Sequence, residues 1–258
     1  MKSVTIVAFF LLLPFAVLAG TFLETFDDGD LEEWQELVHL NETAGSWNVI
    51  NDELHAVSHE GFPHLLATGN DTWEDYTLEF DVKPLKKHGK GAIAIAARVK
   101  GSLLFYCSFA DTVIFGNKDP LLGPFLSCMK GDLHDAEFSV LYFEPHPLLK
   151  LNKWSHLKLS VKGTNFIFSL NGKEIAETGD DFALPHNGQK IKTKAGKLTS
   201  FRTGGVGIGL GNYTALFDNI TVTGDSIPNS GGFAVTPGGK LATVWGQLKQ
   251  FQRQQISH

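Results

Sequence analysis

Short stretches in which apolar and polar residues alternate run through most of the chain from Thr21 to Val222. In "YTLEFDVK", residues 76–83, every second residue is apolar, which is the pattern of a half-buried strand. The next stretch, "GAIAIAARV" at 91–99, is apolar on both faces and predicts a central strand. The dipeptide Asn171-Gly172 is a strong hairpin signal. With about a dozen such stretches and no helix long enough to cross over a parallel sheet, the pattern predicts an all-β, antiparallel two-sheet sandwich.

The segment from Thr112 to Leu151 is less regular and rich in proline and glycine. We expect long loops there, with one strand near "EFSVLYFE", residues 137–144. Long loops on a rigid sandwich are where binding sites usually lie.

The two ends of the chain differ from its middle. Lys2, an apolar run, and Val17 with Ala19 predict a secretory signal peptide over residues 1–19, cleaved before Gly20. The domain then spans 20–224, followed by a linker over 225–239 and an amphipathic helix over 240–255, where apolar residues recur at helical spacing. No second apolar run is long enough to span a membrane.

Charge and cysteine content narrow the functional classes. The net charge of −6 argues against nucleic acid or an anionic membrane as the partner. Cys107 and Cys128 are the two cysteines of the chain, and export to an oxidising compartment favours a disulfide between them. We therefore expect a secreted or periplasmic protein.

Five segments carry a family resemblance. In chain order they are "ETFDDGDLEEWQ", "SWNVINDELHAVS", "WEDYTLEFDVK", "KWSHLKLSVKGTNFIFSLNGKEIAET" and "GGVGIGLGNYTALFDNITVTG". Their order resembles that of the concanavalin A-like and laminin G-like jelly rolls of bacterial secreted proteins. The chain is also similar to the 3-keto-disaccharide hydrolase domain family. The shared features are the first of these segments, the arginine in a central strand at Arg98 and the hairpin at Asn171-Gly172. The resemblance implies a two-sheet jelly roll, often with a calcium ion, that handles carbohydrate or binds a protein.

Three functions follow as expectations. The first is a carbohydrate-binding or adhesive module without catalysis, whose partner is a polysaccharide, another glycan or a cell-surface protein. The second is a glycoside-cleaving enzyme of the 3-keto-disaccharide hydrolase type, and the third is a structural envelope protein. Fold alone does not choose among them.

Glu79 and Asp81 share the polar face of one strand, as do the carboxylates of retaining glucanases of the resembled fold. Those enzymes use a series of three, and here Lys83 and Pro84 occupy the positions where the third would fall. Without an acid to protonate the leaving group this mechanism fails, so we predict no catalytic residue.

In "WSHLKLSVK" the inward-pointing apolar residues leave Trp154, His156 and Lys158 on the opposite face. An aromatic ring with neighbouring hydrogen-bond donors suits a sugar, whose C–H face stacks while its hydroxyls are bound. We take Trp154 and His156 as ligand-binding candidates, with Arg98 and Tyr106 as further ones. The alternative is that all four have structural roles.

Asp218 shares its parity with the apolar residues around it in "ALFDNITV", which predicts a carboxylate on a buried face. In the resembled fold the first and last strands are neighbours, which would bring Glu24 close to Asp218. Two ionised carboxylates in such a place need a cation, a shared proton or several backbone N–H donors, and we predict a structural calcium ion held by Glu24 and Asp218, with Asp27 as a third ligand. The alternative is that Asp218 hydrogen-bonds a turn or lies at a β-bulge that resets the parity.

Overall fold

A computed structural model describes residues 19–40, 42–113, 121–135, 137–186 and 189–228. The secondary structure of this part of the chain consists of strands, with no α-helix, so the all-β prediction is confirmed. The fifteen strands are β1 (Gly20–Glu24), β2 (Gln35–Leu37), β3 (Ser46–Ile50), β4 (Glu53–Val57), β5 (His64–Thr68), β6 (Tyr76–Lys100), β7 (Leu103–Val113), β8 (Leu121–Asp132), β9 (Glu137–Pro145), β10 (Ser155–Lys162), β11 (Asn165–Leu170), β12 (Lys173–Glu177), β13 (Asp181–His186), β14 (Gln189–Lys194) and β15 (Gly205–Gly224). No helix among the described residues is long and apolar enough to cross a membrane.

Two long strands, β6 and β15, pair with each other and run through both layers of the sandwich. We call sheet 1 the layer in which β12, β11 and β10 join the first half of β6, while β1, β4 and β3 lie on the β15 side. In sheet 2, β9, β8 and β7 join the second half of β6, while β5 and β2 lie on the β15 side. Every pairing is antiparallel, as the sequence predicts.

Aromatic rings fill the space between the layers. Phe105 on sheet 2 lies 4.9 Å from Phe166 on sheet 1, measured between ring centroids, and Phe109 lies 5.7 Å from Phe168. All four side chains are at most 1% exposed. Their burial removes a large apolar area from water, which is the main contribution that favours the folded state.

Cys107 and Cys128 form the predicted disulfide. The two residues face each other in register on β7 and β8, and both are completely buried. The bond therefore fastens two neighbouring strands of sheet 2 from within the core.

The described part of the segment 112–151 is more regular than its composition predicts. Where long loops are expected, β8 pairs with β7 on one side and β9 on the other, while the strand expected near 137–144 is confirmed as β9. Pro124 is tolerated because it falls at the shift in register between Ala110 and Thr112, where its missing N–H costs no regular ladder bond. The predicted helix over 240–255 and residues 1–18 of the predicted signal peptide lie outside the described residues.

A buried arginine ties the layers together at one end. Arg98, near the end of β6 in sheet 2, is 1% exposed, and its guanidinium donates to the carbonyls of Gly163 and Phe201. The same group lies 3.4 Å from a carboxylate oxygen of Asp75. The Arg98 backbone N–H donates to the hydroxyl of Tyr76, which in turn bonds the carbonyls of Gly204 and Gly205 at the start of β15.

We expect Arg98→Leu to lower the free energy of unfolding by about 3 kcal/mol, because it leaves two buried carbonyls without a donor. Chemical denaturation measures the change. The matched control is Arg202→Leu, since Arg202 is exposed, and it should change stability by less than about 0.5 kcal/mol. Equal effects of the two substitutions would show that the buried guanidinium contributes nothing specific.

Candidate functional site

The exposed side of sheet 1 carries a row of charged residues on paired strands. His156 on β10 lies opposite Asp81 on β6, and Lys158 lies opposite Glu79. The residues that alternate with them are buried, so these four side chains share the opposite surface. We call this surface the polar face; its residues are Glu79, Asp81, Lys83, Trp154, His156, Lys158 and Asn219.

Each carboxylate of the polar face has a partner. Lys158 Nζ lies 3.0 Å from Glu79 Oε2, and His156 Nδ1 lies 2.9 Å from Asp81 Oδ1. Asn219 donates to the other oxygen of Asp81 at 3.0 Å. The hydrogen bond to Asp81 raises the pKa of His156 against the opposing effect of burial. The row is thus a set of oriented, half-exposed donors and acceptors held on rigid strands.

Trp154 lies at one end of this row. Its side chain is 39% exposed, and Lys83 Nζ is 5.8 Å from the centre of its ring. An ammonium over an indole is a favourable contact that helps to hold the ring in place. The structure therefore brings Trp154 and His156, two of the predicted ligand-binding residues, onto one accessible face.

Arg98 and Tyr106, the other two candidates, do not lie on the polar face. Arg98 is enclosed as described above, and Tyr106 is 5% exposed on sheet 2, with its hydroxyl 3.7 Å from Met129 Sδ. Burial raises the pKa of the Tyr106 hydroxyl far above its ordinary value. Ligand binding by these two residues stays a prediction, and their observed contacts are structural.

Asp218 lies at a β-bulge. The β15–β6 register passes from Asp218 opposite Asp81 to Thr221 opposite Glu79, and Asn219 adopts a positive φ of 55°. The completely buried positions accordingly change parity, from Phe217 before the bulge to Ile220 after it. The expectation of a carboxylate in the middle of a buried row is therefore wrong, and the alternative of a parity-resetting bulge is confirmed.

The calcium prediction concerns Glu24, Asp27 and Asp218. Strand β1 pairs with β15, so the first and last strands are neighbours as expected. The Glu24 carboxylate, however, accepts hydrogen bonds from the backbone N–H of Phe26 at 2.6 Å and from Trp34 Nε1 at 3.3 Å. No group of three His, Cys, Asp or Glu side chains in the described part of the chain is arranged to hold a metal ion. Calcium binding stays a prediction.

The sequence predicts Trp154 and His156 of the polar face as ligand-binding residues, and it gives Lys83 and Asn219 no part in any site. Lys83 alternates with the buried residues of β6, but from the sequence it is noted only as a residue at the place of a third carboxylate. Asn219 reaches Asp81 only because of the bulge, and no local sequence signal marks that bulge. Its neighbour Asp218, which interrupts the apolar parity, is the nearest indication.

These features define an antiparallel β-sandwich with a charged, aromatic-bearing face. The chain belongs to the 3-keto-alpha-glucoside-1,2-lyase-like domain family, which matches residues 21–223. This membership confirms the resemblance to the 3-keto-disaccharide hydrolase family.

Solved structures agree on the fold. The carbohydrate-binding module CBM66 from Bacillus subtilis is similar with a TM-score of 0.52 and 18% identity, over 74% of this chain and 95% of that one. A protein of unknown function with a galectin-like fold, also from Bacillus subtilis, has a TM-score of 0.50 and 13% identity, over 80% and 97% of the two chains. A comparison with curated proteins found no match.

Asp218 makes stability depend on pH. Burial raises its pKa from the ordinary 3.8 to about 6 against the lowering effect of the Asn219 N–H, and the charges of Glu53, Asp81 and Asp27 add to the rise. At pH values between about 4 and 6 the folded state binds more protons than the unfolded state. The free energy of unfolding therefore falls as the pH rises through this range.

Asp218→Asn should therefore raise the melting temperature at about pH 7.5, and the gain should shrink towards zero near pH 4. Thermal unfolding followed by circular dichroism at both pH values measures it. Asp225→Asn is the control, because Asp225 is exposed close to the end of the same strand and should show no such pH-dependent gain. A constant difference between Asp218→Asn and the wild type at both pH values would contradict the assignment.

Proposed function

We propose that this protein is a carbohydrate-binding module that takes a glycan on the polar face of sheet 1. The observation that carries the proposal is the exposed Trp154 ring beside the oriented His156–Asp81 and Lys158–Glu79 pairs. A pyranose ring has an apolar C–H face, which stacks on an indole, and hydroxyls, which pair with fixed donors and acceptors. Because the strands hold these groups in place, little conformational freedom is lost on binding.

The comparisons and the disulfide also support the proposal. One structural neighbour is itself named a carbohydrate-binding module, and the family to which the chain belongs is named for a glucoside. The predicted signal peptide and the disulfide suit a protein that meets glycans outside the cytoplasm. A cell-surface glycoprotein would offer the same chemistry, which is how an adhesive role would arise.

Trp154→Ala should weaken glycan binding by about tenfold or more, since each factor of ten corresponds to about 1.4 kcal/mol. A panel of soluble polysaccharides in affinity electrophoresis identifies a ligand, and calorimetry then compares the variants. Leu103→Ala is the control, because Leu103 is 46% exposed at the start of β7 and does not belong to the polar face. Failure of every polysaccharide to bind, or equal binding by Trp154→Ala, would overturn the proposal.

A second candidate function is cleavage of a 3-keto-glucoside by elimination, favoured by the family membership and by the His156–Asp81 pair. Asp81 holds Nδ1 of His156 and so orients Nε2, which is the arrangement of a general base. A base that takes the proton from C2, next to the 3-keto group, lets the C–H electron pair form the C1–C2 double bond. The C1–O bond then breaks, and the leaving oxygen takes a proton from water.

Incubation with a 3-keto-α-glucoside, followed by chromatography of the released alcohol or sugar, tests this second function. His156→Gln should lower the rate by about a hundredfold or more, the usual contribution of a positioned base. His134→Gln is the control, since His134 is exposed and remote from the polar face. Absence of turnover by the wild-type protein would remove the enzyme candidate and leave the binding module.

A further inference from the structure

The charged pairs of the polar face are followed, along the same two strands, by a pair of hydroxyls. Ser160 on β10 lies opposite Thr77 on β6, two residues beyond Lys158 and Glu79. Both alternate with buried residues, so their side chains lie on the outer surface of sheet 1, and the two hydroxyl oxygens are 2.8 Å apart. We call the whole series the extended row; in order along β10 it consists of Trp154, the pair His156–Asp81, the pair Lys158–Glu79 and the pair Ser160–Thr77.

The extended row is too long for a single sugar. Ser160 is the sixth residue after Trp154, and extended chain advances about 3.3 Å per residue, so the row measures about 20 Å. One pyranose ring covers only a fraction of that length. A ligand that contacts both ends of the row is therefore an oligosaccharide, with its chain parallel to the strands.

Every pair of the extended row keeps hydrogen-bonding capacity for a ligand. Within the hydroxyl pair one O–H group donates to the other oxygen, which leaves the second O–H and several lone pairs. Lys158 carries three N–H donors, and its contact with Glu79 uses one of them. The charged side chains of the row are between 33% and 45% exposed. Donors and acceptors thus recur at every second residue, as a polymer with regularly repeated hydroxyls requires.

The acidic groups of the extended row already have partners. Asp81 accepts a hydrogen bond from Asn219 and lies 2.9 Å from His156 Nδ1. Glu79 is paired with Lys158, and the hydroxyl pair carries no charge. An uncharged glycan can therefore bind along the row without breaking an ion pair and without bringing in a charge that lacks a partner.

We propose that the extended row binds an uncharged, β-1,4-linked glycan of about four sugar residues, whose chain runs along β10 and β6 from Trp154 to the Ser160–Thr77 pair. Equatorial 1,4 linkages keep such a chain extended, whereas α-1,4 linkages coil it away from a straight row. The inference rests on the proposed function and adds to it the shape of the ligand, its direction and a second anchor at Ser160 and Thr77.

Calorimetry with cellobiose, cellotetraose and cellohexaose tests the proposal. Cellotetraose should bind about tenfold or more tightly than cellobiose, because only the longer chain forms hydrogen bonds along the whole row. Cellohexaose should add little, since the row ends at Ser160. Maltotetraose, which has the same composition but α-1,4 linkages, should bind about tenfold or more weakly than cellotetraose.

The double variant Thr77→Val/Ser160→Ala tests the second anchor. It should weaken the binding of cellotetraose by about threefold or more and leave that of cellobiose unchanged, because cellobiose at Trp154 does not reach these hydroxyls. Thr193→Val/Ser139→Ala is the matched control, since it makes the same chemical changes at exposed positions outside sheet 1 and should bind like the wild type.

Three outcomes would overturn the proposal: equal binding of cellobiose and cellotetraose, equal binding of maltotetraose and cellotetraose, or unchanged binding of cellotetraose by the Thr77/Ser160 variant. If no cello-oligosaccharide binds while another glycan binds through Trp154, the extended row is also refuted and the proposed function stands. Failure of the proposed function is recognised separately, because then no glycan binds or Trp154→Ala changes the binding of none.

Discussion

The guanidinium of Arg98 lies inside the protein with almost no contact with water, and a charge is tolerated there only because the surrounding backbone supplies acceptors. Those acceptors come from the β10–β11 turn and from the segment that leads into β15, while Asp75 lies just before β6. Tyr76 adds hydrogen bonds to the same place. One buried charge thus holds the ends of β6 and the start of β15 in a single arrangement.

That arrangement matters because β6 and β15 belong to both layers. Their first and second halves set the position of sheet 1 relative to sheet 2, and every other strand of the sandwich pairs directly or through neighbours with them. The polar face is carried by the sheet 1 halves of these strands together with β10. The polar face therefore inherits its geometry from this pair of strands, and no long loop of the described part carries it.

Alternation along the chain is enough to predict the strands and the polar face, because a residue buried between two layers must be apolar while its neighbours face water. It fails at Asp218, where Asn219 in the left-handed region shifts the parity by one residue. It also fails at β8, where the proline and glycine that suggest a loop sit at an irregularity of the strand. The partners of Arg98 are distant in sequence and depend on the finished fold, so only the anomaly of a charge in an apolar strand is visible beforehand.

The hydrogen-bond and ion-pair partners of the carboxylates on the polar face bear on the choice between glycan binding and catalysis. Asp81 is engaged by His156 and Asn219, and Glu79 by Lys158, so neither acts as a free nucleophile or acid of the glucanase kind. Such pairs are well suited to meet sugar hydroxyls, since each retains unused donor or acceptor capacity and is half exposed. Catalysis on this face would therefore have to depend on His156 as the base, held at Nδ1 by Asp81. The pairing of both carboxylates thus favours recognition of sugar hydroxyls over cleavage of the glucanase kind.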